Sequence, residues 1–460
     1  MENIIRIQRV EIENMQNIKK GFIDFSKYKG HKANITGIYG QNGSGKTSFI
    51  RSLAILKCLL SGEVIKKEYI DRITAGESET ILSFEFSFQN KKDDLKKLFY
   101  KVHIEKAGKP TELAEEASPL VISRESLSYK VFQKNSWSPL EKILELKKNS
   151  QSVALPKSRE KEFSGGNKNI QSKLQIANGV ANRLGTSFIF SKELFSIFNE
   201  HGKNSPSLAI ILALKDYARQ NLFVIENRDS GLINLNAGLP FSFKLSGAMG
   251  TLVVALENSS TLSPTYLDII NKLISDMNRV LEKIIPGLTI ALKELGKQLM
   301  KNGNLGVNVE LVSIRKKTEI PLRYESDGIK KIISVLHMLI ETYNNPSMTL
   351  AIDELDSGIF EYMLGELLQS FEQGGEGQLI YTSHNLRPME LLDKNSVVVS
   401  TANPNNRYIR LKNIKTNNNT KNVFLRDIVL DGQSETIYEP TNIFEIKHAF
   451  RSLRRNTHAS

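Results

Sequence analysis

The segment Gly40-Gln41-Asn42-Gly43-Ser44-Gly45-Lys46-Thr47 constrains the fold more than any other, because it fits the G-x-x-x-x-G-K-[ST] pattern of a phosphate-binding loop. In such loops, small residues let consecutive backbone N–H groups turn inward around a phosphate chain. The apolar residues 35–39 before the loop predict a buried strand, and Ser48 to Leu56 after it predict a helix. That helix would direct its N-terminal N–H groups at the phosphates. This context favours a nucleotide site over a glycine-rich surface loop.

The pattern also assigns a role to individual residues of the loop. Lys46 is expected to reach the β- and γ-phosphates, and the Thr47 hydroxyl is expected to ligate Mg²⁺. The remaining loop residues would surround the phosphates with backbone N–H groups. The predicted nucleotide-binding residues here are Gly40, Asn42, Gly43, Ser44, Gly45, Lys46, Thr47 and Ser48.

Composition limits the class of protein. The chain has 460 residues with an ordinary apolar and charged content, so it is long enough for two or three average domains. A single cysteine, Cys58, excludes an internal disulfide and a multi-cysteine metal site. The longest apolar run, residues 208–214, is too short to span a bilayer, and the start lacks an apolar signal core, so we expect a cytoplasmic protein. The net charge of +12 is compatible with nucleic-acid binding, but the basic residues are scattered in pairs, so solvated helix faces or acidic protein partners explain it equally well.

A second motif, Thr349-Leu350-Ala351-Ile352-Asp353-Glu354, has the Walker B arrangement of an apolar strand that ends in two acids. Asp353 would hold Mg²⁺, directly or through water. Glu354 would accept a proton from the water that attacks the γ-phosphate, or orient that water. Alone the motif is weak, because many buried strands end in an acidic residue that faces solvent. Its distance from Lys46 along the chain predicts a large insertion within the core.

Two further segments follow the Walker B strand. Ile380-Tyr381-Thr382-Ser383-His384 predicts a buried strand that ends in Ser-His. In one class of ATPase a histidine at this place contacts the γ-phosphate and the attacking water, which makes His384 a candidate for that role; the alternative is a structural hydrogen bond. Asp356 lies in the short loop Glu354-Leu355-Asp356-Ser357-Gly358, which fits a loop that contacts the nucleotide site of a partner subunit. A simple turn before the next helix is the competing interpretation.

The segment Glu325-Ser326-Asp327-Gly328 precedes a predicted helix, Ile329–Tyr343, that leads into the Walker B strand. A Ser-x-Gly at a helix N-terminus is an anion-binding arrangement. The position of Ser326 and Gly328 resembles that of the signature element of ABC-type ATPases, which in those proteins closes over the nucleotide of another protomer. A plain helix-capping serine is the alternative. The sequences of residues 164–167 and 245–247 are closer to the usual signature sequence, but both segments lie far upstream of the Walker B strand.

The apolar patterning along the chain predicts an N-terminal hairpin over Ile4 to Phe25, and strands at Ile81–Phe88, Leu98–Ile104, Leu127–Phe132 and Ser187–Phe190. Polar loops are predicted at Lys147–Lys173 and Asn413–Thr420, and helices at Leu267–Ile284, Phe360–Phe371 and from Thr441, as its cap, to Arg454. We divide the chain into an N-terminal half of the ATPase head (1–191), a mainly helical insertion (192–287), a C-terminal half (288–412) and a tail with a final helix (413–460).

Together these motifs resemble the ABC-type ATPase heads of the SMC, RecF and OLD group, and the opening Ile-x-Arg-Ile-x-x-Val-x-Ile is similar to the first strand pair of that group. The resemblance covers about residues 1–190 and 290–400. It implies an α/β fold: a P-loop core with an antiparallel β subdomain and a helical insertion. It also implies ATP and Mg²⁺ as ligands and composite sites between the subunits of a homo-oligomer. The chain departs from the pattern in lacking a clear Q-loop glutamine, and Ser191 is the residue that would occupy that place.

No coiled-coil arm fills the insertion, and too few residues follow His384 for the TOPRIM nuclease domain of OLD proteins. In length and layout the chain is similar to stand-alone AriA-type ATPases of PARIS antiphage systems. That resemblance implies a slow ATPase that senses a phage protein and holds a separate TOPRIM-type nuclease. A RecF-like DNA-repair ATPase and a Septu-type ATPase partnered with an HNH nuclease remain alternatives.

Overall fold

The computed structural model describes residues 3–26, 34–89, 95–106, 119–146, 159, 162, 170–201, 205–226, 238–245, 248–300, 303–412, 414, 419–430 and 432–456. The strands are β1 (Ile4–Met15), β2 (Ile18–Asp24), β3 (Ile35–Tyr39), β4 (Glu79–Gln89), β5 (Leu95–Lys106), β6 (Leu120–Gln133), β7 (Ser136–Trp137), β8 (Glu141–Leu146), β9 (Leu222–Ile225), β10 (Leu239–Leu245), β11 (Ala248–Val254), β12 (Ser260–Leu262), β13 (Leu288–Leu299), β14 (Leu305–Arg315), β15 (Thr318–Pro321), β16 (Thr349–Ile352), β17 (Gln378–Thr382), β18 (Val397–Ser400) and β19 (Tyr408–Ile409). The α-helices are α1 (Lys46–Ser61), α2 (Ile170–Leu184), α3 (Lys192–His201), α4 (Pro206–Gln220), α5 (Pro264–Ile284), α6 (Asp327–Asn344), α7 (Glu361–Gly374), α8 (Pro388–Leu391), α9 (Thr420–Leu430) and α10 (Ile443–Asn456).

A six-stranded sheet forms the centre of the molecule, in the order β19-β18-β3-β17-β16-β9. All neighbours from β18 to β9 are parallel, and only β19 runs antiparallel at the edge. Strands β3, β16, β17 and β18 are buried along their whole length, which explains why they lack the alternation of apolar and polar residues. Parallel strands end at one edge of the sheet, so the loops after β3, β16 and β17 meet there.

A seven-stranded antiparallel sheet, in the order β2-β1-β4-β5-β6-β7 with β8 also paired to β6, forms a second layer. Its long strands alternate between buried and partly exposed residues, as one-sided burial requires. The buried face shares a hydrophobic core with α1, α4 and one face of the central sheet. The predicted N-terminal hairpin and antiparallel subdomain are confirmed.

Helices α5, α6 and α7 cover the opposite face of the central sheet. The apolar stripe of α5, which includes Leu267, Ile270, Ile274, Met277 and Leu281, joins α6, α7, β13 and β14 in a second core. These three helices were all predicted from their periodicity. The central parallel sheet thus lies between the antiparallel sheet on one face and helices α5, α6 and α7 on the other. This arrangement confirms the predicted α/β fold.

The segment 192–287, predicted as a mainly helical insertion, also contributes a strand to the central sheet. It contains α3, α4 and α5, but β9 within it is the edge strand of the central sheet, and α4 packs in the same core as α1. Strands β10 and β11 form a hairpin in the same region. The sequence of β9, Leu-Phe-Val-Ile, is too short for periodicity to distinguish a strand from a buried helical turn.

The strand predicted at Ser187–Phe190 is wrong: these residues form a turn. The buried carboxylate of Glu125 accepts hydrogen bonds from the backbone N–H groups of Phe188 (3.0 Å) and Ile189 (3.2 Å), which a strand would use in its ladder. Ser191, the substitute proposed for the Q-loop, is buried and accepts a hydrogen bond from the Leu194 N–H at the start of α3 (3.1 Å). It therefore acts as a helix cap.

The final helix, α10, begins at Ile443, and Asn442 rather than Thr441 accepts the N–H groups of Phe444 (2.9 Å) and Glu445 (3.3 Å). The predicted loops at Lys147–Lys173 and Asn413–Thr420 lie mostly outside the described residues, although α2 begins at Ile170 and α9 at Thr420. Within the described part of the chain, every helix is too short or too polar to cross a membrane.

Candidate functional site

The carboxyl edge of the central sheet brings the predicted nucleotide-binding motifs together. Strand β17 lies between β3 and β16, so the phosphate loop, the Walker B acids and His384 all follow neighbouring strands. The Asp353 N–H donates to the Ile225 carbonyl of β9 (2.9 Å), which fixes the end of the Walker B strand. These motifs lie far apart along the chain, and the order of the strands in the sheet brings them together.

The glycines of the phosphate loop have backbone conformations that other residues rarely adopt. Gly40, Gly43 and Gly45 have φ angles of 145°, 75° and 95°. A Cβ on Gly40 would also lie 2.1 Å from the Ser400 hydroxyl oxygen. The loop is anchored by the Tyr408 hydroxyl, which donates to the Gly45 carbonyl (2.7 Å), and by the Asn17 amide, which donates to the Gly43 carbonyl. The loop shape is therefore set before any ligand arrives.

Lys46 is buried at the centre of this loop. Its ammonium donates to the carbonyls of Gly40 (2.8 Å) and Gln41 (3.0 Å). Burial lowers the pKa of Lys46, while the carboxylates of Asp353 and its neighbours Glu354 and Asp356 raise it. A phosphate placed in the loop would offer this ammonium a full negative charge in place of two carbonyl dipoles.

The other loop residues differ in what their side chains contact. The Ser44 hydroxyl donates to the Gln41 carbonyl (2.6 Å), and the Ser48 hydroxyl donates to the Gln16 side chain in the turn of the first hairpin (2.7 Å). Asn42 is exposed. The side chains of Ser44 and Ser48 therefore hold the loop in place, so any contribution they make to phosphate binding comes from their backbone N–H groups.

A chain of hydrogen bonds joins the first helix to the Walker B acids. The Thr47 hydroxyl donates to Asp353 Oδ1 (3.3 Å), and Thr382 Oγ1 donates to the same oxygen (2.6 Å). Thr382 Oγ1 in turn accepts the Glu354 N–H (2.7 Å). Thr382, at the end of β17, was not among the site residues predicted from the sequence. Its position directly before Ser383-His384 is the signal that could have identified it.

Two features of the Walker B acids suit a metal and a reacting water. Asp353 Oδ2 is buried and has no hydrogen-bond partner among the described residues, so a carboxylate oxygen is available beside the Thr47 hydroxyl. Oxygen ligands of this kind suit Mg²⁺, which uses one or two carboxylates together with phosphates and water. Glu354 has a φ of 48°, a strained backbone conformation for glutamate that the structure holds at this edge.

His384 is exposed at the end of β17, and Asp356 positions its backbone. Asp356 Oδ2 accepts the N–H groups of His384 (2.9 Å) and Asn385 (3.0 Å). The other oxygen, Oδ1, is buried without a partner among the described residues. Asp356 therefore organises the His384 loop of its own chain, a role that the sequence interpretation missed.

The signature segment begins α6, where Ser326 accepts the Ile329 N–H (3.4 Å) as an N-cap. Ser326 and Asp327 are exposed, whereas Gly328 is buried. A Cβ on Gly328 would lie 1.9 Å from the Gly358 carbonyl oxygen, so only glycine fits against the loop after Walker B. The described contacts of Ser326 do not include the phosphate loop of the same chain. The two upstream segments that resemble a signature lie mostly outside the described residues.

Two further residues near the site were not predicted. Glu226 follows the edge strand β9, next to Asp353, and it accepts the Tyr69 hydroxyl (3.1 Å) and lies 3.9 Å from Arg51 of α1. Gln41 of the phosphate loop accepts the Glu439 N–H (3.0 Å), so the segment before α10 contacts the loop directly. Neither could be found from the sequence, because both depend on contacts between distant parts of the chain.

The family model described as an AAA ATPase domain matches residues 6–387, most of the chain. Among solved structures, the chain is similar to an SMC head bound to the C-winged helix domain of ScpA (13% identity, 88% of this chain and 97% of that chain, TM-score 0.43). It is also similar to the SMC head domain from Thermotoga maritima (13%, 89% and 100%, TM-score 0.38) and to the recombination mediator protein RecF (13%, 83% and 93%, TM-score 0.35). No curated protein matches the chain significantly. Because the family model matches most of its length, the chain belongs to the AAA ATPase domain family.

Proposed function

We propose that this protein binds ATP in the loop Gly40–Thr47 and hydrolyses it slowly to ADP and phosphate. The observation that carries the proposal is the hydrogen-bonded series Thr47–Asp353–Thr382–Glu354 at the carboxyl edge of the sheet. It places a hydroxyl, a buried carboxylate and a second carboxylate next to the phosphate loop. Thr47 and Asp353 would hold Mg²⁺, which would neutralise charge on the β- and γ-phosphates.

The residues of this edge divide the hydrolytic step between them. Lys46 would leave the carbonyls of Gly40 and Gln41 and bind the terminal phosphates. Glu354 would accept a proton from water as the water oxygen attacks the γ-phosphorus, and the bond from that phosphorus to the ADP oxygen would break. His384, held through its backbone by Asp356, would contact the γ-phosphate. Turnover is expected to be slow, because a molecular switch needs long-lived states.

We propose further that the site is composite. Ser326 caps α6, and both Ser326 and Asp327 are exposed, so the N-terminus of this helix lies at the surface of the chain. An outward helix N-terminus suits the γ-phosphate bound by a second copy. In this arrangement a homo-oligomer, rather than a single chain, is the active ATPase.

Mixing two inactive variants tests the composite site. Lys46→Ala removes the phosphate-binding ammonium but keeps Ser326, whereas Ser326→Arg blocks the signature but keeps Lys46. A heterodimer of the two chains contains one intact site, so mixing should restore ATPase activity that each variant lacks. The measurement is phosphate release against the mixing ratio, with Val429→Arg, a similarly exposed position on α9, as the control for added charge. Absence of recovery in the mixture would contradict the composite site.

We also propose, from the resemblance to AriA-type ATPases, that this ATPase is the sensor and scaffold of an antiphage system that controls a separate TOPRIM-type nuclease. A RecF-like DNA-repair role is the second candidate, and the net charge of +12 is compatible with it. Phosphate release with and without duplex DNA distinguishes them. DNA stimulation that disappears with added salt supports the repair role, whereas stable copurification with a TOPRIM protein and no DNA effect supports the defence role.

A further inference from the structure

The C-terminal helix α10 exposes an apolar stripe that nothing in the described structure covers. Ile443, Ile446 and Phe450 are spaced three and four residues apart and therefore lie on one face, with Phe444 beside them. Their exposed fractions are 63%, 44% and 73%, and that of Phe444 is 82%. A stripe of this kind on a globular protein usually marks an interaction surface.

This helix is attached at the phosphate loop. Glu439 and Gln41 are joined by two hydrogen bonds, from the Glu439 N–H to Gln41 Oε1 (3.0 Å) and from Gln41 Nε2 to the Glu439 carbonyl (3.5 Å). Only three residues separate Glu439 from the start of α10. Gln41 also provides one of the carbonyls that hold Lys46. The apolar stripe therefore begins beside the edge of the molecule that a second copy would cover in a composite site.

An apolar groove on the same chain fits such a helix. It has a volume of about 350 Å³ and lies between α5, α6 and α7. Its lining is almost entirely apolar and includes Leu336, Leu339, Ile340, Tyr343, Leu367 and Phe371. The side chain of Tyr343 is 37% exposed at the groove. Because every described side chain of α10 is exposed, α10 does not occupy the groove of its own chain.

The net charges of α7, which forms one wall of the groove, and of α10 are opposite. Helix α7 carries three glutamates and no lysine or arginine, although the carboxylate of Glu372 accepts the Asp393 N–H and the Ser396 hydroxyl; the C-terminal half of α6 adds Glu341, and α5 carries both signs. Helix α10 exposes Lys447 and Arg451 beside its apolar stripe. Opposite charges at the rim of an apolar contact favour the correct register of two partners.

We propose that α10 of one copy docks in the α5–α6–α7 groove of a second copy. The geometry of the composite site, on which this proposal rests, allows it. There, Ser326 of the second copy faces the phosphate loop from which α10 starts. The groove residues of α6 lie about 15–26 Å along that helix from Ser326, and α10 with its three-residue connection reaches about 30 Å. Each copy would then hold its neighbour with a helix tethered to its own nucleotide loop.

Engineered cysteines test the contact, and the natural Cys58 is buried and does not compete. One tagged chain carries Phe450→Cys and a second, differently tagged chain carries Ile340→Cys. With ATP and mild oxidant, we expect an interchain disulfide in at least about tenfold higher yield than with Leu299→Cys, an exposed control on β13. Equal yields with the control would overturn the proposal. A single chain that carries both substitutions is tested in the same way. A disulfide that forms only within that chain, and not between chains, would also overturn the proposal.

A second measurement uses the intact assembly. Phe444→Glu with Phe450→Glu should raise the dissociation constant for self-association at least about tenfold, as loss of buried aromatic anchors does. Val429→Glu with Leu430→Glu, equally exposed on α9, should leave it unchanged in sedimentation velocity. Unchanged self-association of the α10 variant would overturn the proposal and would leave the helix to a partner of different sequence.

The complementation experiment separates this proposal from the composite site. A disulfide in the expected yield without recovery of activity would leave the docking intact and reject the shared site. Recovery of activity with control-level disulfide would support the shared site and reject the docking.

Discussion

The two halves of the proposed ATP site differ in how the chain holds them. The phosphate-loop half is fixed by hydrogen bonds between residues far apart in sequence, such as Thr47 to Asp353 and the Tyr408 hydroxyl to the Gly45 carbonyl. The signature half is the exposed N-terminus of α6, where the Ser326 hydroxyl accepts the Ile329 N–H of its own helix and Gly328 packs against Gly358.

This difference indicates how a switch can be built from a shared site. The buried half binds its ligand in a preformed cradle, which keeps the entropic cost of binding low. In a composite site, the exposed half contacts a nucleotide only when that nucleotide is bound by a second chain. Nucleotide affinity should therefore depend mainly on one chain, and turnover on two.

The largest expected effect concerns the phosphate-loop half. Glu354→Gln removes the carboxylate that accepts the proton of the attacking water, and we expect turnover to fall by about 10²–10⁴-fold while ATP still binds. The measurement is phosphate release together with equilibrium binding of a fluorescent ATP analogue. Glu257→Gln, at an exposed position between β11 and β12, is the control and should change neither. Undiminished hydrolysis in Glu354→Gln would show that Glu354 is not the base.

Gly328→Ala tests how the signature half is anchored. The added methyl group would lie 1.9 Å from the Gly358 carbonyl oxygen, which belongs to backbone and cannot rotate away. We expect the free energy of unfolding to fall by about 3 kcal/mol, at the upper end of overpacking costs. Turnover should fall because Ser326 is displaced, while ATP binding remains.

The matched control for that change is Gly179→Ala, since Gly179 lies in α2 with no atom near the position of its added methyl group. This substitution should stabilise the protein by about 0.5–1 kcal/mol. Urea denaturation of both variants gives the comparison. A Gly328→Ala protein as stable as its parent would mean that the signature half is loosely held, contrary to the contact with Gly358.

Thr382→Val tests the hydrogen-bonded series in the phosphate-loop half. The change keeps the shape of the side chain but removes the donor to Asp353 Oδ1 and the acceptor of the Glu354 N–H. An unsatisfied buried N–H should lower the free energy of unfolding by about 2 kcal/mol. Turnover should fall further, because Glu354 loses the contact that holds its strained backbone.

Thr342→Val is the control for Thr382→Val, because the Thr342 hydroxyl donates to the Met338 carbonyl within its own helix (2.6 Å) and lies at the opposite end of α6 from Ser326. It should cost little stability and leave ATP turnover unchanged. If both valine variants hydrolyse ATP at the parental rate, the Thr382 hydroxyl does not position Glu354.

The sequence predicted the phosphate-loop half better than the signature half. Periodicity and the glycine pattern were sufficient for β3 and α1, because the apolar residues of buried strands and helices repeat at fixed spacings. The same apolar pattern predicted the Walker B strand, and therefore the position of Asp353 and Glu354 at its end. The role of Asp356 toward His384, and that of Thr382 toward Glu354, could not be predicted, because the order of strands in the sheet decides which residues meet.

The errors have a similar physical origin. Ser187–Phe190 is apolar enough for a strand, but the buried Glu125 carboxylate binds its N–H groups and stabilises a turn. Strand β9 belongs to the central sheet, yet its four residues lie in a segment interpreted as a helical insertion. Local patterns describe which residues are buried, and distant partners determine the structure in which they are buried.

The smallest expected effect concerns α6, the helix of the signature half. His337 is buried in α6, and neither ring nitrogen has a hydrogen-bond partner among the described residues. Burial lowers its pKa from the usual value near 6.5, although Asp276 opposes the shift. The unfolded state therefore binds more protons than the folded state as the pH falls below about 6.5, so the folded state loses stability in that direction.

His337→Leu removes both the unsatisfied nitrogens and this proton uptake. We expect the free energy of unfolding to rise by about 1 kcal/mol at pH 7, and its decrease between pH 7 and pH 5 to become smaller. Urea denaturation at several pH values measures both, and His448→Gln, an exposed histidine on α10, is the control. A parental pH dependence in His337→Leu would place the titrating group elsewhere. A stabilised variant would show that the signature helix, unlike the phosphate loop, carries a buried polar group that the fold does not need.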